Sequence, residues 1–154
     1  MEQVSIKSVK HSKWRYKIVD LHLYEKLKNS IRQNGQIYPL VVREVQDGYE
    51  IIDGNQRLSI FNDLNHETVG VKNMGIMREI DALKKAVEIN TCFTVDDIHF
   101  AGVVTELLKE YDAHTLSMTF PNRSREITEY PRLFHFDWST FSGEDQSQGE
   151  LNFD

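Results

Sequence analysis

The sequence predicts an α+β domain, and three observations carry that prediction. Apolar residues recur at helical spacing in several separate stretches. Between them, Ile37–Val45 and Tyr49–Ile52 are β-branched runs joined across Asp47-Gly48, a hairpin signal. The second run then passes through Asp53-Gly54 directly into a helical pattern starting at Gln56.

Taken in order, Val4–Val9 predicts a short strand. Asp20 is the N-cap of a helix running to Asn34, with Leu23, Leu27 and Ile31 as its buried stripe and Gly35 as its left-handed cap. Ile37–Val45 is a strand whose Pro39 stands near the start, where a missing N–H is tolerated. Tyr49–Ile52 returns, and Gln56–Leu64 forms a short helix burying Leu58, Phe61 and Leu64. Thr68–Lys72 is the last strand. Arg78–Thr91 is a helix with Ile80, Leu83, Val87 and Asn90 on one face. Thr94 and Asp97 make a capping box for a helix over Val95–Tyr111, whose Ile98, Ala101, Val104, Thr105 and Leu108 face inward. Ser124–Tyr130 predicts one more short helix, and the aromatic-rich Leu133–Phe141 packs back onto the domain. The expected organisation is an α/β core over 1–92, a helical extension packed on it over 93–141, and a flexible acidic tail over 142–154.

Composition narrows the function classes. A chain of 154 residues suits about one domain. Its single cysteine, Cys92, excludes an internal disulfide and agrees with a reducing, cytoplasmic setting. No apolar run reaches membrane-spanning length, so no membrane role is expected. The net charge of −6 argues against general polyanion binding, but it is unevenly spread. The last twelve residues hold Glu144, Asp145, Glu150 and Asp154 and no base, whereas Met1–Lys17 holds Lys7, Lys10, Lys13, Arg15 and Lys17 against Glu2 alone. With Trp14 and Tyr16 interleaved, that basic segment reads either as a nucleic-acid or nucleotide contact or as a solvated strand with inward aromatics.

The strand–turn–helix over Asp53-Gly54-Asn55-Gln56-Arg57 is the most informative stretch. Gly54 lets the backbone turn sharply and approach a ligand, and Arg57 starts a helix beside free N–H groups, a place suited to phosphate. Upstream stand Leu27, Ser30-Ile31, Gly35 and Pro39-Leu40-Val41-Val42-Arg43, then Gly48-Tyr49-Glu50-Ile51-Ile52. In this order and spacing the residues resemble the N-terminal domain of the ParB family, whose fold is shared with sulfiredoxin. The resemblance covers about Val4 to Asn90 and implies a small mixed sheet with packed helices and a helical C-terminal extension.

It also implies a nucleoside triphosphate, CTP or ATP, with Mg²⁺. The family's Gly-Glu-Arg-Arg box corresponds to Gly54, Asn55, Gln56 and Arg57, with Asn55 and Gln56 departing from it. An upstream arginine corresponds to Arg15, and the Glu-Asn-x-x-Arg box leaves Asn90 and Glu88, with Phe93 near the expected arginine. Sulfiredoxins place a catalytic cysteine after the glycine; Asn55 stands there and cannot act as a thiolate. For a ParB-like nuclease or NTPase, Asp53 is the candidate for metal or water, against a turn-stabilising role. The histidines show no metal-ligand spacing, and no metal site is expected.

Ser124–Tyr130 is similar to a recognition helix, with Arg123, Arg125 and Arg132, and Lys13 elsewhere, as candidate DNA contacts. The chain stops before the rest of such a domain and before a dimerisation domain, so a stand-alone, phage or mobile-element type is expected, with a homodimer as one candidate state. Gln148, Leu151 and Phe153 fit Gln-x-x-Leu-x-Phe, which resembles the peptide that docks on the replication sliding clamp. Three readings follow: a nucleotide- or DNA-binding module in a DNA-linked process, an NTPase or nuclease, and an adaptor recruited through its tail.

Overall fold

The computed structural model describes residues 1–14, 20–89, 97–125 and 127–128, with side chains omitted over 97–101. The chain runs through β1 (Glu2–Ser5), a 3₁₀ turn (Ile6–Ser8), β2 (Val9–Lys10), α1 (Leu21–Asn34), β3 (Leu40–Val45) and β4 (Gly48–Asp53). It continues through α2 (Asn55–Asp63), β5 (Thr68–Ile76), α3 (Glu79–Ile89), α4 (Asp97–Leu107), α5 (Ala113–Thr119) and a 3₁₀ turn at Pro121–Arg123.

The five strands form one mixed sheet in the order β1-β5-β3-β4-β2. β1 pairs antiparallel with β5, β5 parallel with β3, β3 antiparallel with β4, and β4 parallel with β2. The single strand expected over Val4–Val9 is therefore two strands, one on each edge of the sheet. Ser5 to Val9 can reach about 14 Å fully extended. A flat five-stranded sheet needs about 19 Å between its edge strands. The sheet must curl until its edges approach each other. The 3₁₀ turn closes the gap, with the Ile6 N–H on the Glu67 carbonyl at 3.0 Å and Ser8 Oγ on the Ser5 carbonyl at 2.7 Å.

Adjacent residues of a strand point to opposite faces, and β4 uses both. Ile51 joins Ile6, Val9, Ile31, Leu40, Val42, Leu58, Ile60, Phe61, Val69 and Val71 in one apolar cluster under α1 and α2. Ile52 joins Ala82, Leu83, Ala86 and Val87 of α3 with Val103, Val104, Leu107, Leu116, Phe120 and Ile127 in the other. The sheet thus lies between two helical layers, and α3 shares its cluster with α4 and α5.

The capping expected of α1 is present: Asp20 Oδ1 accepts from the His22 and Leu23 N–H groups at 2.9 and 3.2 Å. Gly35, at φ +70°, donates to Ile31. Leu23, however, is 57% exposed, and Tyr24 packs with Leu27 against Ile31 instead. Strict four-residue spacing drifts about 40° per step around a helix, enough to carry Leu23 off the buried face. Ile37 and Tyr38 are also exposed, and β3 begins only at Leu40. β5 extends past Lys72 to Ile76 because β3 pairs with it along that length. α5 was not expected; its signal was Asp112 three residues before Thr115, whose N–H it caps at 2.8 Å. Cys92, the capping Thr94 and the aromatic stretch at 133–141 lie outside the described residues.

Gly48 carries the hairpin's positive φ, +130°, and a Cβ there would overlap the Ser8 carbonyl. Gly48→Ala is expected to cost about 2–4 kcal/mol through backbone strain and this overlap, read as a lower midpoint in urea unfolding. A second expectation concerns pH. The Asp81 carboxyl is held below its ordinary 3.8, first by the Arg78 guanidinium and next by the Tyr111 hydroxyl. Such a group contributes fully above pH 3.8 and loses its contribution as pH falls further, through its depressed value. The stability gap between wild type and Tyr111→Phe should therefore narrow from about pH 5 to about pH 2 in urea titrations. A gap constant with pH would assign the hydroxyl to packing alone.

Candidate functional site

β2 runs parallel to β4, so both strands end on the same side of the sheet. β4 ends at Asp53 and turns through Gly54, at φ +112° and ψ 25°, into α2. The N-cap residue of α2 is Gly54, which has no side chain to cap the helix. Its first N–H groups have no partner within the helix and carry the positive end of its dipole. A Cβ on Gly54 would lie 2.7 Å from Leu40 Cδ2 and 3.0 Å from Arg57 Nη2, side-chain ends that would have to shift, and the positive φ itself favours glycine.

β2 ends at Lys10, and the chain then passes His11–Trp14 over this turn. Asn55, only 4% exposed, fixes the passage. Its Oδ1 accepts the Ser12 N–H at 2.9 Å and lies 3.2 Å from His11 Nδ1, which donates in the Nδ1-protonated tautomer. The sequence marked Asn55 as a ligand contact; its carbonyl joins the two segments that the resemblance associates with phosphate. Arg15 lies just beyond, outside the described residues, as do Asn90 and Arg132.

Arg57 faces the other way. β3 starts where its antiparallel neighbour β4 ends, and Arg57 Nη1 donates to the carbonyls of Tyr38 at 3.1 Å and Pro39 at 2.9 Å. Its Nη2 donates to Asp53 Oδ2 at 2.9 Å. Asp53 thus bridges the turn to Arg57 rather than standing beside it as an isolated carboxylate. Gln36 secures the same loop. Its amide exchanges hydrogen bonds with Gly70 at 2.6 and 2.7 Å, and its Nε2 also reaches the Tyr38 carbonyl at 3.0 Å. Neither Gln36 nor the reach of Asn55 was found from the sequence, because each partner lies more than thirty residues away.

On the far side, Glu79 at the start of α3 pairs with Lys13 and accepts the Trp14 indole N–H at 3.2 Å. Lys13 Nζ also sits 5.4 Å from the centre of the Trp14 ring. Burial pushes the Glu79 carboxyl up, but the Lys13 and Trp14 hydrogen bonds outweigh it and leave it below the ordinary 4.5. Trp14 covers a hollow of about 10 Å³, room for about one water, between Glu50, Ile52, Ala82 and Ala86. Glu50 is itself held by Arg43, whose Nε and Nη2 lie 3.1 and 2.9 Å from Oε1. The basic, aromatic N-terminal segment therefore combines both readings: Trp14 packs partly inward against α3, and Lys13 remains half exposed.

Gln56, half buried, completes the turn. Glu88 is taken by Lys84 and Lys85 at 2.7 and 2.6 Å. Arg123 and Arg125 follow α5 directly, with helical backbone resuming at Ser124. Gln148, Leu151 and Phe153 lie outside the described residues. Among the described residues, no group of three or more His, Cys, Asp or Glu is placed to hold a metal ion, and no helix is long and apolar enough to cross a membrane.

Comparison with solved structures finds the same fold in ParB proteins. A Pnob8-like ParB-N domain aligns with a TM-score of 0.55 at 22% identity over 83% of this chain, which spans 49% of that one. The C-terminally truncated chromosome-partitioning protein ParB from Caulobacter crescentus aligns in two forms. Its complex with CTP-γ-S gives a TM-score of 0.54 at 18% identity, covering 86% of this chain and 77% of that one. Its complex with the centromeric parS site gives 0.63 at 16% identity, covering 89% and 73%. No curated protein matches the chain. Residues 1–89, more than half of the sequence, match the model for the ParB N-terminal domain, and the chain belongs to that family.

Proposed function

We propose that this chain is a ParB-like binding module that takes a nucleotide or DNA phosphate at the Gly54–Arg57 turn. One observation supports the reading: Asn55 ties the segment after β2, with Lys13, to the start of α2, where the N-cap residue is Gly54. Dipole, free N–H groups and a glycine that admits close approach then converge on one spot. The Caulobacter ParB crystallised with CTP-γ-S supports a nucleoside triphosphate as ligand, with CTP tested before ATP. In this reading Gly54, Asn55 and Gln56 present the backbone, and Arg57 adds charge while holding Tyr38 and Pro39 in place. Mg²⁺, where it accompanies the nucleotide, would be held mainly by phosphate and water, since Asp53 is paired with Arg57. The same pairing favours binding over strand cleavage or nucleotide hydrolysis.

A separate observation supports duplex DNA as a second ligand. α5, a 3₁₀ turn and a resumed helix at Ser124 follow one another with Arg123 and Arg125 at the second helix start. Two helices joined by a short turn, with bases at the start of the second, suit phosphate and base-edge contacts. The Caulobacter ParB complexed to parS supports the same ligand class.

Arg57→Ala would test the turn poorly, because the Pro39 carbonyl loses the Arg57 donor, the Tyr38 carbonyl keeps only Gln36, and the fold suffers. Gln56 is the better probe. Gln56→Arg restores a guanidinium beside the helix start and should tighten CTP binding about tenfold, read by calorimetry with and without Mg²⁺. Gln56→Glu should abolish binding while keeping or raising the melting temperature, since a carboxylate suits a helix N-terminus. Equal affinity in all three proteins would place the nucleotide elsewhere. For DNA, Arg125→Ala should weaken duplex binding and flatten its salt dependence by about one unit of slope, with CTP affinity unchanged.

A further inference from the structure

The cations described around the turn each have an acidic partner. Arg57 faces Asp53 and Arg43 faces Glu50, with side chains 10–23% exposed. Lys13 and Glu79 are different: their side chains are 49% and 45% exposed, and their pairing is within reach of solvent. A half-exposed pair contributes little, whereas breaking an enclosed one leaves a charge stranded. Lys10 and Asp47, 4.0 Å apart at the hairpin, form a still more exposed pair, but Lys13 follows the residue held at the start of α2, so an anion arriving at the turn draws on Lys13. Lys13 follows Ser12, whose N–H is held by Asn55 at the first residue of α2, and its long flexible stem is free to reorient from Glu79.

Resting on the phosphate site proposed above, we infer that Lys13, Glu79 and Trp14 form an anion-exchangeable latch between that site and α3. In the resting state Glu79 holds Lys13 and the Trp14 indole, so the segment lies against α3. A phosphate at the Gly54 turn takes Lys13 from Glu79. The indole then keeps one hydrogen bond to a carboxylate that has lost its counter-charge, and the cation leaves the Trp14 ring. Glu79 thus acts as a competitor of the ligand, and occupancy at the turn changes the attachment of residues 11–14 to α3.

The test uses the full chain with Trp138→Phe, which makes Trp14 its only tryptophan. Inorganic tripolyphosphate and CTP are titrated by calorimetry and by Trp14 emission. Glu79→Gln should bind both about two- to fivefold tighter, the factor that loss of one exposed pair allows. Lys13→Met should bind them more weakly and show a shifted Trp14 emission before any anion is added. In the parent chain, anion should shift emission in the same direction. If the parent binds but Glu79→Gln binds no tighter and emission stays constant, the latch falls and the phosphate site stands. If neither the parent nor a Gln56→Arg protein binds either anion, the phosphate site fails and the latch falls with it. Thermal melts show whether each variant is folded, and a misfolded Glu79→Gln leaves Lys13→Met and the parent's emission as the deciding readouts.

Discussion

Everything at the candidate site depends on residues 2–10 serving both edges of one sheet. The short link from Ser5 to Val9 cannot span a flat five-stranded sheet, so the sheet curls, and the curl needs close approach at Gly48. The same constraint sets direction. β2 runs parallel to β4, so the chain leaves the sheet beside the Gly54 turn rather than at the opposite end. Asn55 then meets Ser12 as a consequence of topology. A strand over Val4–Val9 on one edge alone would have delivered His11–Trp14 to the far side of the molecule.

The second organising feature is the pairing of charge. Among the described residues, Lys10 pairs with Asp47, Lys28 with Asp63, Arg43 with Glu50 and Arg57 with Asp53. This is compatible with the phosphate site proposed above in a chain of net charge −6. At that site attraction would come from oriented backbone N–H groups and exchangeable partners rather than from a broad positive field. Affinity would then depend on geometry at short range, and ionic strength would act mainly through the exposed pairs.

The parts legible in the sequence were those encoded locally. The Asp20 cap, the Gly35 terminator, the hairpin at Gly48 and the strand–turn–helix at Gly54 each rest on residues a few positions apart, and each has its expected place. The misses share one cause, dependence on distant partners. Nothing near Val4–Val9 announces that Ser5 faces Thr68 while Val9 faces Tyr49. Leu23 and Tyr24 are both apolar enough to bury, and the position of α2 decides between them. At the site, Gly54 and Arg57 were read from their own turn. The work of Gln36, Asn55 and Glu79 lies in contacts 34, 43 and 65 residues away, to Gly70, Ser12 and Trp14.

β4 divides the molecule energetically as well as geometrically. Ile51 faces the cluster under α2, and Ile52 faces the cluster built with α3, α4 and α5. Each cluster holds fully enclosed residues, Phe61 and Leu58 in one and Leu107 and Leu116 in the other. Each is therefore stabilised by its own apolar burial. Residues 11–14 are tied to both helical layers: His11 and Ser12 to the buried Asn55 on the α2 side, and Lys13 and Trp14 to Glu79 on the α3 side, where Trp14 also packs on the apolar cluster. Elements held mainly by such ties open at low free energy while the cores beside them stay intact. A ligand at the proposed site would therefore act on this segment at the cost of Trp14's partial packing, while Phe61, Leu58, Leu107 and Leu116 stay enclosed.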